Sequence, residues 1–143
     1  MSRKDFWILP ALLLLSVAVS AGYTQPVPVE IDFDGQFAHG DLSSARHSDN
    51  EFEHIGCGIR VFETGVGDEV TYYGFCQARL EEEVNVVCTT FNKNLLNAIK
   101  AISDHSYVTF SWSDDGTGNL TCTRIGNSTQ SFYLPLNKDA KKN

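Results

Sequence analysis

The chain has 143 residues, of which 42% are hydrophobic and 20% charged, with a formal net charge of −7 at pH 7. A chain of this length makes one domain with its own core, burying roughly 65% of the surface that it exposes when unfolded. The acidic balance argues against nucleic acid as a partner, since phosphates demand clustered Lys and Arg, and the one basic cluster is Lys138, Lys141 and Lys142 in a tail over 137–143 that reads as solubilising.

Residues 1–21 have the three regions of a signal peptide. Arg3 and Lys4 are its basic start, Phe6 to Val19 its apolar run, and Val19-Ser20-Ala21 its small-residue end, so cleavage is expected after Ala21. Losing Arg3, Lys4 and Asp5 leaves 9 basic and 17 acidic residues, a net charge of −8. The residue after the expected cut is Gly22, not the cysteine of a lipid-anchored protein, and no stretch approaches the ~20 apolar residues of a membrane-spanning helix. The expected location is secreted or periplasmic.

Residues 22–54 are polar and carry Pro26, Pro28 and the stretch Ser43-Ser44-Ala45-Arg46-His47-Ser48-Asp49-Asn50, which predicts an extended, partly mobile arm. Its alternating Val27, Val29, Ile31 and Phe33 predict one short strand over Val27–Phe33. The expected folded domain covers 55–136. Ile59–Glu63 and Val70–Gln77 flank Thr64-Gly65-Val66-Gly67-Asp68-Glu69 and read as a hairpin, with a third strand at Val84–Thr89. Phe91, Leu95, Ala98, Ile99 and Ile102 then recur at helical spacing behind a capping Asn92. Tyr107–Ser113 and Leu120–Ile125 are strands across the turn Asp114–Asn119, and Phe132–Leu134 is a candidate last strand. Three strands, a helix and two strands predict a mainly β (α+β) domain. The two architectures with that order are a small OB-like five-stranded barrel and an open antiparallel sheet with one helix between strands 3 and 4.

Four cysteines follow the leader, and an oxidising compartment favours disulfides over a metal site, which no CxxC spacing supports. Cys57 and Cys76 are equidistant from a turn centred between Val66 and Gly67, so they face each other across the first hairpin. Cys88 and Cys122 form the remaining pair.

Little else carries chemistry. His39, His47, His54 and His105 stand in no metal-binding spacing and read as loop histidines. Asp32-Phe33-Asp34-Gly35 lacks the later ligands of a calcium loop, and no G-x-S-x-G elbow sets up a nucleophile. No cofactor is implied. Asn119 and Asn127 stand in glycosylation sequons, which have meaning only in a eukaryotic source. Tyr72 and Tyr73 must point to opposite faces of their strand, while Val108, Phe110 and Trp112 share the core side of theirs and leave Tyr107 outward. Outward aromatics beside Asp, Asn and Thr suit sugar rings or a protein surface, which makes Tyr72, Tyr73 and Tyr107 the candidate binding residues.

The segments Cys88-Thr89-Thr90-Phe91-Asn92-Lys93-Asn94-Leu95, Ser103-Asp104-His105-Ser106-Tyr107 and Leu120-Thr121-Cys122-Thr123 resemble a pattern in small secreted bacterial proteins of uncharacterised function. In leader, size and the order of cysteine-bearing strand, helix and strand, the chain is also similar to the B subunits of AB5 toxins. That likeness implies an OB-fold and glycan binding, leaves a homo-oligomer open, and carries over no sugar-binding residue. The sequence reading is therefore a secreted, non-catalytic binding module for glycan or a protein surface. A small extracellular hydrolase or hydrolase inhibitor is the runner-up.

Overall fold

The structure, a computed structural model, describes residues 22–65 and 69–134; the expected leader, residues 66–68 of the hairpin turn and the basic tail lie outside the described residues. β1 (Glu30–Asp32) and β2 (Phe37–Asp41) form a hairpin, followed by the short helix α1 (Leu42–Arg46). A meander of β3 (His54–Glu63), β4 (Val70–Arg79) and β5 (Asn85–Thr90) leads into α2 (Lys93–Lys100). The hairpin of β6 (Tyr107–Asp114) and β7 (Leu120–Ser128) then inserts between the two earlier groups, giving one sheet in the order β1-β2-β6-β7-β5-β4-β3.

Every neighbouring pair is antiparallel except β5 and β7, which run parallel. The sheet is open, with β1 and β3 as its edges, so the closed five-stranded barrel is corrected. A barrel would need the edge of β6 to close the ring. Here β2 occupies that edge, pairing from Phe37↔Ser111 to Asp41↔Tyr107. The supposed arm over 22–54 thus supplies two strands and a helix to the same sheet.

The strand expected over Val27–Phe33 shortens to Glu30–Asp32 because Pro28 cannot donate to a ladder. Two carboxylates satisfy the flanking amides instead. Asp41 accepts from Val27 N at 2.6 Å and Glu53 from Val29 N at 2.9 Å. Asp41, only 1% exposed, also caps α1 by accepting from Ser44 N and Ser44 Oγ. The final expected strand, Phe132–Leu134, is instead a 3₁₀ turn over Ser131–Tyr133, tied back to the N-terminal segment by Gln25 N donating to Phe132 O at 2.9 Å.

Alternation puts Cys76, Ala78, Val86, Cys88, Val108, Phe110 and Trp112 on one face, where they are buried, and on β7 the register shift opposite Ser111 and Trp112 puts an extra residue between Cys122 and Ile125 and so buries both on that same face. Both helices cover that face, with Leu96 and Ile99 of α2 pointing into it. The helix keeps the expected cap, Asn92 accepting from Asn94 N and Leu95 N, and ends at Lys100, whose charge suits a helix C-terminus. The bridges are Cys57–Cys76 and Cys88–Cys122. Because Cys57↔Cys76 and Cys76↔Cys88 are both register pairs, the four cysteines form one row across β3, β4, β5 and β7 beneath α2.

Candidate functional site

Among the described residues, the sheet face opposite the helices is left bare over β3, β4 and β5, as antiparallel sheets permit, while the turn at Ser131–Tyr133 packs on Tyr107 of β6. On β3 and β4 the register sets Gly56 beside Gln77, Gly58 beside Phe75, Arg60 beside Tyr73 and Phe62 beside Thr71 on this outer face. The rings gather there. Phe62 stacks on Tyr73 at 5.8 Å between centroids and 17° between planes, and Tyr73 contacts Phe75 at 6.5 Å and Phe91 at 6.2 Å. The Arg60 guanidinium lies over the Phe75 ring at 4.8 Å. Phe91 is 72% exposed and Phe62 47%, and Val87 of β5 extends the patch outward on the same face. Contiguous exposed apolar surface of this kind marks interaction sites far more often than scattered single residues do.

The two faces of the hairpin separate the expected tyrosines. Tyr73 belongs to the outer cluster, whereas Tyr72 pairs with Val61 on the helix side, beyond the reach of α2. Tyr107 is on the outer face but on β6, three strands from β4 in the sheet, or about 14 Å at the usual strand spacing. The three therefore do not form one site. Tyr107 sits in a second aromatic row, between His39 at 5.9 Å and Tyr133 at 5.6 Å, with His39 also stacked on Phe37. Burial, then the neighbouring Tyr133, pushes the Tyr107 phenol up; burial, then Asp41, does the same to Tyr133. His39 meets Glu30 at 3.2 Å across the β1–β2 pair.

Arg60, Phe62 and Phe91 escape a reading of the sequence by single strands, whereas alternation alone puts Phe75 on the face of Tyr73. The register that pairs Cys57 with Cys76 also fixes Arg60 opposite Tyr73, so the first two were recoverable from the same arithmetic. Phe91 was not. Its spacing to Leu95 places it on the apolar face of a helix, but the helix begins after Asn92, so Phe91 precedes the cap and turns outward.

One cleft, of about 390 Å³, lies between α1 and the start of β3 and is lined in part by Arg46, Ser48, Glu51, Glu53 and His54. Three of these side chains, those of Ser48, Glu53 and His54, are engaged within the fold. Glu53 accepts from Ser48 Oγ and from Val29 N, and His54 Nδ1 faces Phe52 O at 3.0 Å. Each carboxylate oxygen of Glu53 thus holds one hydrogen bond within the chain. His47 Nδ1 is likewise turned to Ser43 O at 2.8 Å. Among the described residues, no three His, Cys, Asp or Glu side chains gather as metal ligands. The amide of Asn127 donates to Ala98 O at 3.0 Å, holding the end of α2, whereas Asn119 is exposed in its turn.

Comparison of the chain with protein-family models, with the curated proteins and with the solved structures finds no match.

Proposed function

We propose that this protein is a secreted, non-catalytic binding module that takes a protein surface on the outer face of its β3–β4 hairpin. The carrying observation is the cluster of Phe62, Tyr73, Phe75 and Phe91 with Arg60 on a sheet face that no described residue covers. Aromatic and arginine side chains are the residues that anchor protein interfaces, and their rings here pack on one another into a mound rather than lining a cleft. The two disulfides and the leader motif support export, and no described helix is long and apolar enough to cross a membrane. Glycan is the second reading, favoured by the exposed Phe91 ring beside Thr89 and Asn92.

The test compares the exported protein with Phe91→Ala and with His54→Ala for binding to immobilised extracellular proteins and to a glycan array. Binding that is lost with Phe91→Ala and kept with His54→Ala supports the module, and the array decides between the two ligand classes. Ester or peptide hydrolysis that disappears with His54→Ala would replace this reading with the hydrolase.

A further inference from the structure

The two edges of the sheet are treated differently. β1 is three residues long, carries Glu30 and Asp32, and follows Pro28, all devices that keep an edge from pairing. β3 is ten residues long, and between His54 and Glu63 its only charge is Arg60. An edge this long and this weakly defended is a template for another strand.

Which backbone groups it offers follows from its own register. Cys57 and Cys76 have Cα atoms 4.0 Å apart, nearer the roughly 4.5 Å of a non-hydrogen-bonded antiparallel pair than the ~5.5 Å of a bonded one. Ile55, Cys57, Ile59, Val61 and Glu63 therefore direct their N–H and C=O groups away from β4. Among the described residues, no backbone hydrogen bond outside the β3–β4 ladder uses any group from Ile55 to Val61.

The outer-face side chains of this strand run Gly56, Gly58, Arg60, Phe62: small at one end and large at the other. Gly58 is already covered, since a Cβ there would meet Phe75 Cζ at 2.8 Å. Gly56 is bare, with nothing within 4 Å of the position its Cβ would take. A strand that is small at one end and large at the other is complementary to itself when turned end for end. We infer that the β3 edge is a homodimer interface in which two copies pair antiparallel about a two-fold axis through Ile59, each Phe62 covering the other copy's Gly56.

In this register Ile59 faces its own copy and Cys57 faces Val61, so the outward amides and carbonyls of these three residues find partners, while Ile55, 6% exposed beside α1, lies under its own chain's cover. Arg60 falls opposite the second copy's Gly58, with the two Arg60 side chains on a diagonal. Moving the axis to Arg60 would set the two guanidinium groups directly opposite, which like charges disfavour. Moving it to Val61 would carry Cys57 past the end of the second copy's β3 and leave it unpaired. Pairing also makes the outer faces of two sheets continuous, so that each aromatic mound gains a Phe62 from the second copy.

The test is sedimentation of the oxidised protein from micromolar to submillimolar concentration, with circular dichroism on every variant. Wild type approaches twice its chain mass. Gly56→Phe, which meets open space within one chain, lowers the association constant by about tenfold or more, because the clash occurs at two symmetric places. Val61→Pro removes an amide that β4 does not use and gives a folded monomer. Gly56→Phe combined with Phe62→Gly exchanges the large and small positions and restores the dimer. A wild-type monomer throughout the range, a dimer indifferent to Gly56→Phe, or an exchange that restores nothing overturns the inference. Any of these leaves the ligand reading standing, because Phe91 lies away from the β3 edge.

Discussion

Gly74 is where α2 rests on the sheet, and replacing it tests whether that contact is as tight as the structure makes it. It is buried on β4 opposite Thr90, on the helix side. An added Cβ would lie 2.6 Å from Ile99 Cδ1, 2.8 Å from Leu96 Cδ2 and 3.3 Å from Thr90 Cγ2. The first two contacts are shorter than any real one, and both belong to side chains with no room to withdraw, Leu96 being 2% and Ile99 6% exposed. Gly74→Ala must therefore lift the helix or force rotamers, at about 1–3 kcal/mol. Against this stands a gain of about 0.4–1 kcal/mol from a less flexible unfolded chain. The expected net loss is about 1–2 kcal/mol, read from denaturant unfolding with both disulfides intact and an unchanged slope. Ile99→Val deletes the offending Cδ1 and alone costs about 0.5–1.5 kcal/mol; in the Gly74→Ala background it should cost nothing or stabilise. A Gly74→Ala protein as stable as wild type, or a double variant whose losses simply add, would refute the packing of α2 described above.

Three further outcomes are expected. Trp112, 5% exposed and packed on Phe110 at 5.9 Å and Phe33 at 6.1 Å, should cost about 3–5 kcal/mol when truncated to Ala, while Tyr107→Ala should cost only about 1 kcal/mol, the worth of its ring contacts. The reverse order by thermal denaturation would mean that the faces of β6 are exchanged. Replacing Cys88 and Cys122 together by Ser opens a closure of sequence separation 34 and should lower stability by about 2–4 kcal/mol, whereas an unchanged unfolding midpoint would deny the bridge any role in holding β5 to β7. The raised phenols of Tyr107 and Tyr133 stay protonated in the folded protein at a pH where unfolded tyrosines ionise. Their stabilisation is present below the unfolded value and lost as pH rises through the folded ones, and a tyrosinate absorbance titration in which Tyr107→Phe removes no late step would contradict it.

What could be read directly from the chain was whatever depends on near neighbours. Strand parity follows from alternation, so Val108, Phe110 and Trp112 declare their common face by themselves. A tight turn makes opposite positions equidistant from its centre, so Cys57 and Cys76 declare their bridge. Asn92 declares the start of α2 because its side chain acts on amides two and three residues ahead. The spatial order of the strands had no such signal. Backbone amides and carbonyls are chemically alike in every strand, and nothing local to β2 says that its partner is β6, some seventy residues onward. Burial of Ala38 and the capture of Val27 and Val29 by Asp41 and Glu53 decide it, and these contacts exist only once the chain has closed on itself. The same limit hid the aromatic mound. Phe62, Tyr73 and Phe91 come from three segments whose rings meet because β3, β4 and the turn before α2 are laid side by side, and only tertiary structure decides which face the helices leave bare.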